Sequence, residues 1–133
     1  MLKKELSASE EDYLRIIYYL DENQGVRVID IAKELDIAKA SVSEMPRKLA
    51  KKRLVKLKPY SKIFLTDQGE KIAGEVFKKH RVSKILVKSL LNCEENEAKE
   101  HAHNLEHAFS LKTIEKLEEA IEGRQKYFPS YVG

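Results

Sequence analysis

A single cysteine, Cys93, leaves this 133-residue chain without any internal disulfide. It is expected as a small buried hydrophobe in a reducing compartment. No apolar run approaches the roughly 20 residues that a spanning helix requires. The opening Met1-Leu2-Lys3-Lys4-Glu5-Leu6 has no apolar stretch of the kind a secretory signal uses, so a cytoplasmic location with no membrane partner is expected. Internal repeats and low-complexity segments are also missing. What is present is 42% hydrophobic and 35% charged residues, with Ile, Leu and Val recurring throughout. That balance suits a soluble, helix-rich globular chain of one compact domain, or two small units sharing a core.

The net charge of +3 is modest, and its distribution is not. Residues 39–62 carry nine basic side chains against the single acid Glu44, a local charge of +8. Residues 94–122 carry nine acids against three lysines, a local charge of −6. An anionic partner at one end and cations at the other would explain both blocks. A solvated lysine-rich helix face is the alternative for the first.

Periodicity places the elements. Ser9-Glu10-Glu11-Asp12 reads as a helix start, and Tyr13, Ile16, Ile17 and Leu20 follow at helical spacing. Asn23-Gln24-Gly25 reads as the stop. Val28, Ile31, Ala32 and Leu35 mark a short second helix, and Asp36-Ile37-Ala38 a tight turn. A third helix is expected from Lys39 to Arg53, with Val42, Met45 and Leu49 inward. Then the period changes. Val55-Lys56-Leu57-Lys58 alternates as a half-buried strand, Pro59-Tyr60-Ser61-Lys62 turns, and Ile63-Phe64-Leu65 returns as the second strand of a hairpin. Thr66 or Asp67 should cap a long helix running to Leu91. Another helix should cover 94–108, and Ser110 should cap the last, with Gly123 as its C-cap. The aromatic segment Tyr127-Phe128-Pro129-Ser130-Tyr131 is expected either to dock on the body or to lie loose.

Three helices followed by a hairpin are the order of a winged helix-turn-helix, whose third helix enters the major groove of double-stranded DNA. Lys39, Ala40, Ser41, Ser43 and Glu44 open that helix with small and polar residues suited to close approach. Arg47, Lys48, Lys51 and Lys52 supply phosphate-neutralising charge, and Tyr60 and Lys62 would act from the wing. Pro46 lies inside the expected helix, where a proline kinks it, so a kink is predicted there.

In the acidic half, His103, Glu106 and His107 project from one helix face, one turn apart. Two imidazoles and a carboxylate at that spacing suit a divalent transition metal. An ordinary polar helix face is the alternative. Glu100 lies one turn earlier, and His101 points away. The run His103-Asn104-Leu105-Glu106-His107 also spells H-x-x-E-H, the inverted-zincin motif. A zinc peptidase would need a distant third ligand and a cleft, and only 26 residues follow His107. No enzyme is therefore expected.

Along nearly its whole length the chain resembles the diphtheria toxin repressor and manganese transport regulator family (DtxR/MntR). Glu11-Asp12-Tyr13-Leu14-Arg15-Ile16-Ile17-Tyr18, Ser41-Val42-Ser43, Leu65-Thr66 with Gly69, Lys79-His80-Arg81 and Leu105-Glu106-His107 carry the resemblance. It implies a mainly α fold: a winged helix-turn-helix DNA-binding domain over residues 1–66, then a helical metal-binding and dimerisation domain over 67–133. It implies that Asp12, His80, His103, Glu106 and His107 surround a metal, and that a homodimer presents two recognition helices to a pseudo-palindromic operator. Arg15 stands where the manganese branch has a carboxylate, His103 where Cys or Glu is common, and Lys84 where some iron-type members have an acid. The SH3-like domain of longer members is expected to be absent. Three imidazoles with two carboxylates suit Fe2+ or Zn2+ at least as well as Mn2+. The resulting expectation is a metal-activated repressor of metal-uptake genes. The alternative is a winged-helix regulator with a degenerate metal site.

Overall fold

A computed structural model describes residues 6–127, and the side chains of residues 6–123. The chain forms two compact units, residues 1–77 and 78–133. The division falls inside a helix. The aromatic segment 127–131 falls outside the residues whose side chains are described.

The first unit begins with α1 (Ala8–Leu20). Its cap is Ser7, two residues before the expected Ser9. The Ser7 hydroxyl accepts the Glu10 N–H at 3.1 Å, and Glu10 Oε1 accepts the Ser7 N–H at 3.0 Å. A glutamate at the third helical position closes a capping box where the shorter aspartate does not, which is why the box forms on Ser7 and Glu10. The helix stops at Leu20, and Asp21 donates its N–H to the Ile17 carbonyl, so Gly25 lies beyond the end it was expected to make.

Two elements depart from expectation. Val26–Arg27 form a short strand β1 that two residues are too few to announce by alternation. After α2 (Val28–Leu35) and a turn in which Asp36 takes φ 55°, the expected single helix is two: α3 (Lys39–Val42) and α4 (Met45–Lys51). The predicted kink at Pro46 is a break and restart. Pro46 sits in the first turn of α4, where a backbone N–H has no intrahelical acceptor to lose. The hairpin β2 (Val55–Lys58) and β3 (Lys62–Leu65) forms as read, with Val55 opposite Leu65 and Lys58 opposite Lys62. β3 is central, since β1 pairs with its other edge through Val26 and Ile63. Leu14, Ile17, Ile31, Leu49, Leu54 and Ile63 are fully enclosed and make the core of this unit. Thr66 caps α5 (Asp67–Ile85), its hydroxyl accepting the Gly69 N–H at 3.0 Å.

The second unit starts within α5. At Leu86–Leu90 the helix widens into a π-helical turn, closed by the Leu91 N–H on the Leu86 carbonyl at 2.9 Å. Then follow α6 (Glu95–Ala108) and α7 (Leu111–Tyr127). Val82 packs with Ile114 and Ile121, and Val87 with Ala98 and Ala102. Cys93 is partly buried beside the latter group. Ser110 caps α7 as expected, accepting the Thr113 N–H at 3.2 Å. Gly123 does not end the helix, which continues to Tyr127.

Glu118 of α7 fastens that helix to α5. Its Oε2 lies 2.6 Å from Arg81 Nη2 and its Oε1 lies 3.2 Å from Lys78 Nζ. Burial pushes the Glu118 carboxyl up, but the bonds from Arg81 and Lys78 outweigh it and hold the group below its ordinary 4.5. A carboxyl with a depressed folded-state pKa adds stability above its ordinary value and loses it as pH falls through the folded one. Denaturant titrations above and below pH 4.5 should therefore show a smaller acid loss for Glu118→Gln than for wild type. Equal acid losses would mean that the bridge carries no stability.

Candidate functional site

The basic surface belongs to the first unit. Ser41, Glu44, Arg47 and Lys48 are exposed along α3, the break and α4, and Tyr60 stands 92% exposed at the tip of the hairpin. Tyr60 and Ser61 both hold positive φ, 66° and 58°, in that turn. Lys39, Ser43 and Arg47 line one groove of about 450 Å³ together with Leu57, Lys58 and Lys62 of the hairpin, and no acid lines it. Ala40 lines it too, and its carbonyl accepts the Ser43 hydroxyl at 2.8 Å. The groove joins the two basic elements that the charge run pointed to. It also adds Leu57 and Lys58. Strand alternation placed Leu57 inward, whereas it is 46% exposed.

Lys52 differs from its neighbours. Its ammonium lies 2.9 Å from Glu10 Oε1 and 2.7 Å from Oε2, within the same unit. Burial alone would push the Glu10 carboxyl up, but Lys52 and Ser7 outweigh it and hold the group below its ordinary value.

The ligand cluster belongs to the second unit. Ala98, Ala102 and Glu106 recur every four residues on the buried face of α6, so a carboxylate occupies a position otherwise given to alanine. Glu106 is only 2% exposed. Its Oε1 lies 3.0 Å from His80 Nδ1 of α5 and 3.9 Å from His103 Nδ1. The His103 and His107 rings meet edge to face at 4.7 Å. His103, Glu106 and His107 each present a ligand atom within 4.8 Å of the others. His80, expected from resemblance, thus joins the three residues that helical spacing brought together. Glu100 and His101 are exposed. Asp12 belongs to the first unit, where Arg15 Nη2 lies 3.9 Å from its Oδ1.

A buried carboxylate is costly unless its charge is met. Glu106 Oε2 is buried and has no hydrogen-bond donor among the described residues. Imidazole nitrogens that accept a metal, beside a carboxylate oxygen left without a partner, fit a divalent transition metal.

Residues 5–63 match the family described as the iron dependent repressor N-terminal DNA binding domain, and residues 66–127 its metal binding and dimerisation domain. A transcriptional regulator of the helix-turn-helix type from Methanocaldococcus jannaschii, itself uncharacterized, is 35% identical over 119 residues, 88% of this chain and 95% of that protein. The regulator MntR of Shouchella clausii is 30% identical over 86% of this chain and 80% of its own length. Among solved structures, the manganese regulator SloR superposes with a TM-score of 0.72 at 32% identity over 85% of this chain. The chain spans about half, 53%, of that longer protein.

Proposed function

The chain belongs to the iron-dependent repressor family, and on that premise we propose that it is a cytoplasmic, homodimeric repressor of metal-uptake genes, activated by a divalent transition metal. The observation that carries the reading is the buried Glu106 carboxylate, with one oxygen on His80 and the other unmet. His80, His103, Glu106 and His107 would hold the metal, whose charge the buried carboxylate requires. Asp12, offered from α1 as a further ligand, would tie the DNA-binding residues 1–66 to the dimerising residues 67–133. Two recognition helices free to sample many spacings would then be narrowed to the one that fits two operator half-sites. Fe2+, Zn2+ and Mn2+ all suit the ligand set.

The same H-x-x-E-H run does not favour a peptidase. In a zinc peptidase the general base must reach the metal-bound water beside the substrate, and Glu106 is turned inward onto His80. Non-enzymatic regulation is the reading that uses both the basic groove and the ligand cluster. No helix among the described residues is long and apolar enough to cross a membrane.

The test is DNA binding by metal-loaded protein, comparing a duplex from the gene's own upstream region with a random duplex. Lys48→Ala should weaken both equally and reduce the salt slope by about one. Ser41→Ala should cost more on the upstream duplex than on the random one. Fluorescence anisotropy at several salt concentrations reads both effects. Equal losses on the two duplexes for Ser41→Ala would remove that hydroxyl from sequence reading.

A further inference from the structure

Lys52 lies in the basic run, yet its ammonium straddles both oxygens of Glu10, a residue 42 positions away in the chain. We propose that Lys52 is a positioning residue: with Glu10 it straps the end of α4, the second half of the basic helical element, to the first turn of α1. This rests on the reading that α1 carries the metal ligand Asp12.

Three observations support a strap. Glu10 is itself fixed, because its Oε1 also accepts the Ser7 N–H in the capping box and the residue is only 7% exposed. A carboxylate so held anchors whatever ammonium pairs with it. Next, α4 has only seven residues, and a break at Ser43 and Glu44 separates it from α3. So short a helix has little stability of its own and takes its orientation from tertiary contacts. Lys52 is its C-cap, immediately before Arg53 leaves in a left-handed conformation at φ 60°. The pair therefore fixes the end of α4 at the point where the chain turns away. Finally, a carboxylate 2.7 Å from the ammonium neutralises the charge that a phosphate contact would need. Asp12 lies two residues along α1 from Glu10, so a shift of α1 on ligation would be passed to α4 through this pair.

The test uses the full chain and four proteins: wild type, Glu10→Gln, Lys52→Met and the double variant. Glu10→Gln is the milder change, since its amide oxygen can still accept the Ser7 N–H and keep the cap. Two quantities are read: the salt slope on a random duplex, and the gain in affinity for the upstream duplex on adding Mn(II) chloride. The strap predicts that either single change cuts the Mn(II)-dependent gain by about tenfold, within the usual range of site-to-site coupling. The double variant should be no worse than the singles, and the salt slope should not change. A slope lowered by about one in Lys52→Met, with Glu10→Gln like wild type, would make Lys52 a phosphate contact and overturn the proposal. A wild-type protein that gains nothing from Mn(II), Fe(II) or Zn(II) run in parallel would instead sink the sensor reading and the coupling with it.

Discussion

Glu106→Ala is expected to abolish the metal-dependent gain in DNA affinity while both units stay folded. Glu106 is the most buried of the proposed ligands and the one that His80 and His103 both approach. Groups that only hydrogen-bond a metal's ligands are worth about 10–100-fold in metal affinity, so a lost ligand should cost at least about 100-fold. Stability should respond far less. Deleting a buried carboxylate removes its desolvation cost along with its hydrogen bond, and alanine already fills the two preceding positions of this stripe at 98 and 102. Glu106→Gln keeps the shape and loses the charge, so it should retain the fold and lose most metal affinity. Calorimetric metal titration with parallel thermal melts separates these effects. Metal affinity unchanged in Glu106→Ala would remove the residue from the site.

Gly69→Ala should be the most destabilising glycine-to-alanine change among the described residues. A Cβ at Gly69 would overlap the Leu54 carbonyl oxygen. That oxygen also accepts the Thr66 N–H at 3.0 Å, while the Thr66 hydroxyl donates to the Arg53 carbonyl at 2.7 Å. The clash sets a Cβ, whose place the backbone fixes, against a backbone carbonyl, so no rotamer change relieves it, and the α4–β2 connection or the start of α5 must move. Overpacking typically costs 1–3 kcal/mol, and a loss of about 3 kcal/mol or more is expected here. Gly123→Ala is the matched control. No described residue lies within 4 Å of its Cβ position, and an exposed helical glycine replaced by alanine should gain up to about 1 kcal/mol. Urea unfolding of both variants checks the pair. A Gly69→Ala protein as stable as wild type would mean that the junction yields cheaply.

The elements legible in the sequence were those written in period. Val28–Leu35, the hairpin 55–65 and the α6 face with His103, Glu106 and His107 all follow from spacing of two or of three and four. What escaped was set by single contacts. β1 exists because Val26 finds Ile63, a pairing across 37 residues that no local pattern announces. Pro46 was visible as a helix breaker, but whether the chain kinks or restarts depended on where the next helix began. The π-helical turn 86–90 leaves no compositional trace, and Gly123 reads as a stop only if nothing sustains the helix past it. At the site, charge counting treated Lys52 like Lys48, because only the fold brings Glu10 to one of them. The burial of Glu106 was encoded in the Ala98-Ala102-Glu106 spacing, beneath the more conspicuous histidines.

The most direct test of the account is a metal titration of the chelator-stripped protein on its own upstream duplex, followed by fluorescence anisotropy at fixed salt. Mn(II), Fe(II) and Zn(II) would be run in parallel, with His103→Ala beside wild type. The account predicts that at least one metal tightens wild-type binding and that the variant loses this response. Equal binding with and without every metal would contradict it, leaving a DNA-binding protein governed by some other signal.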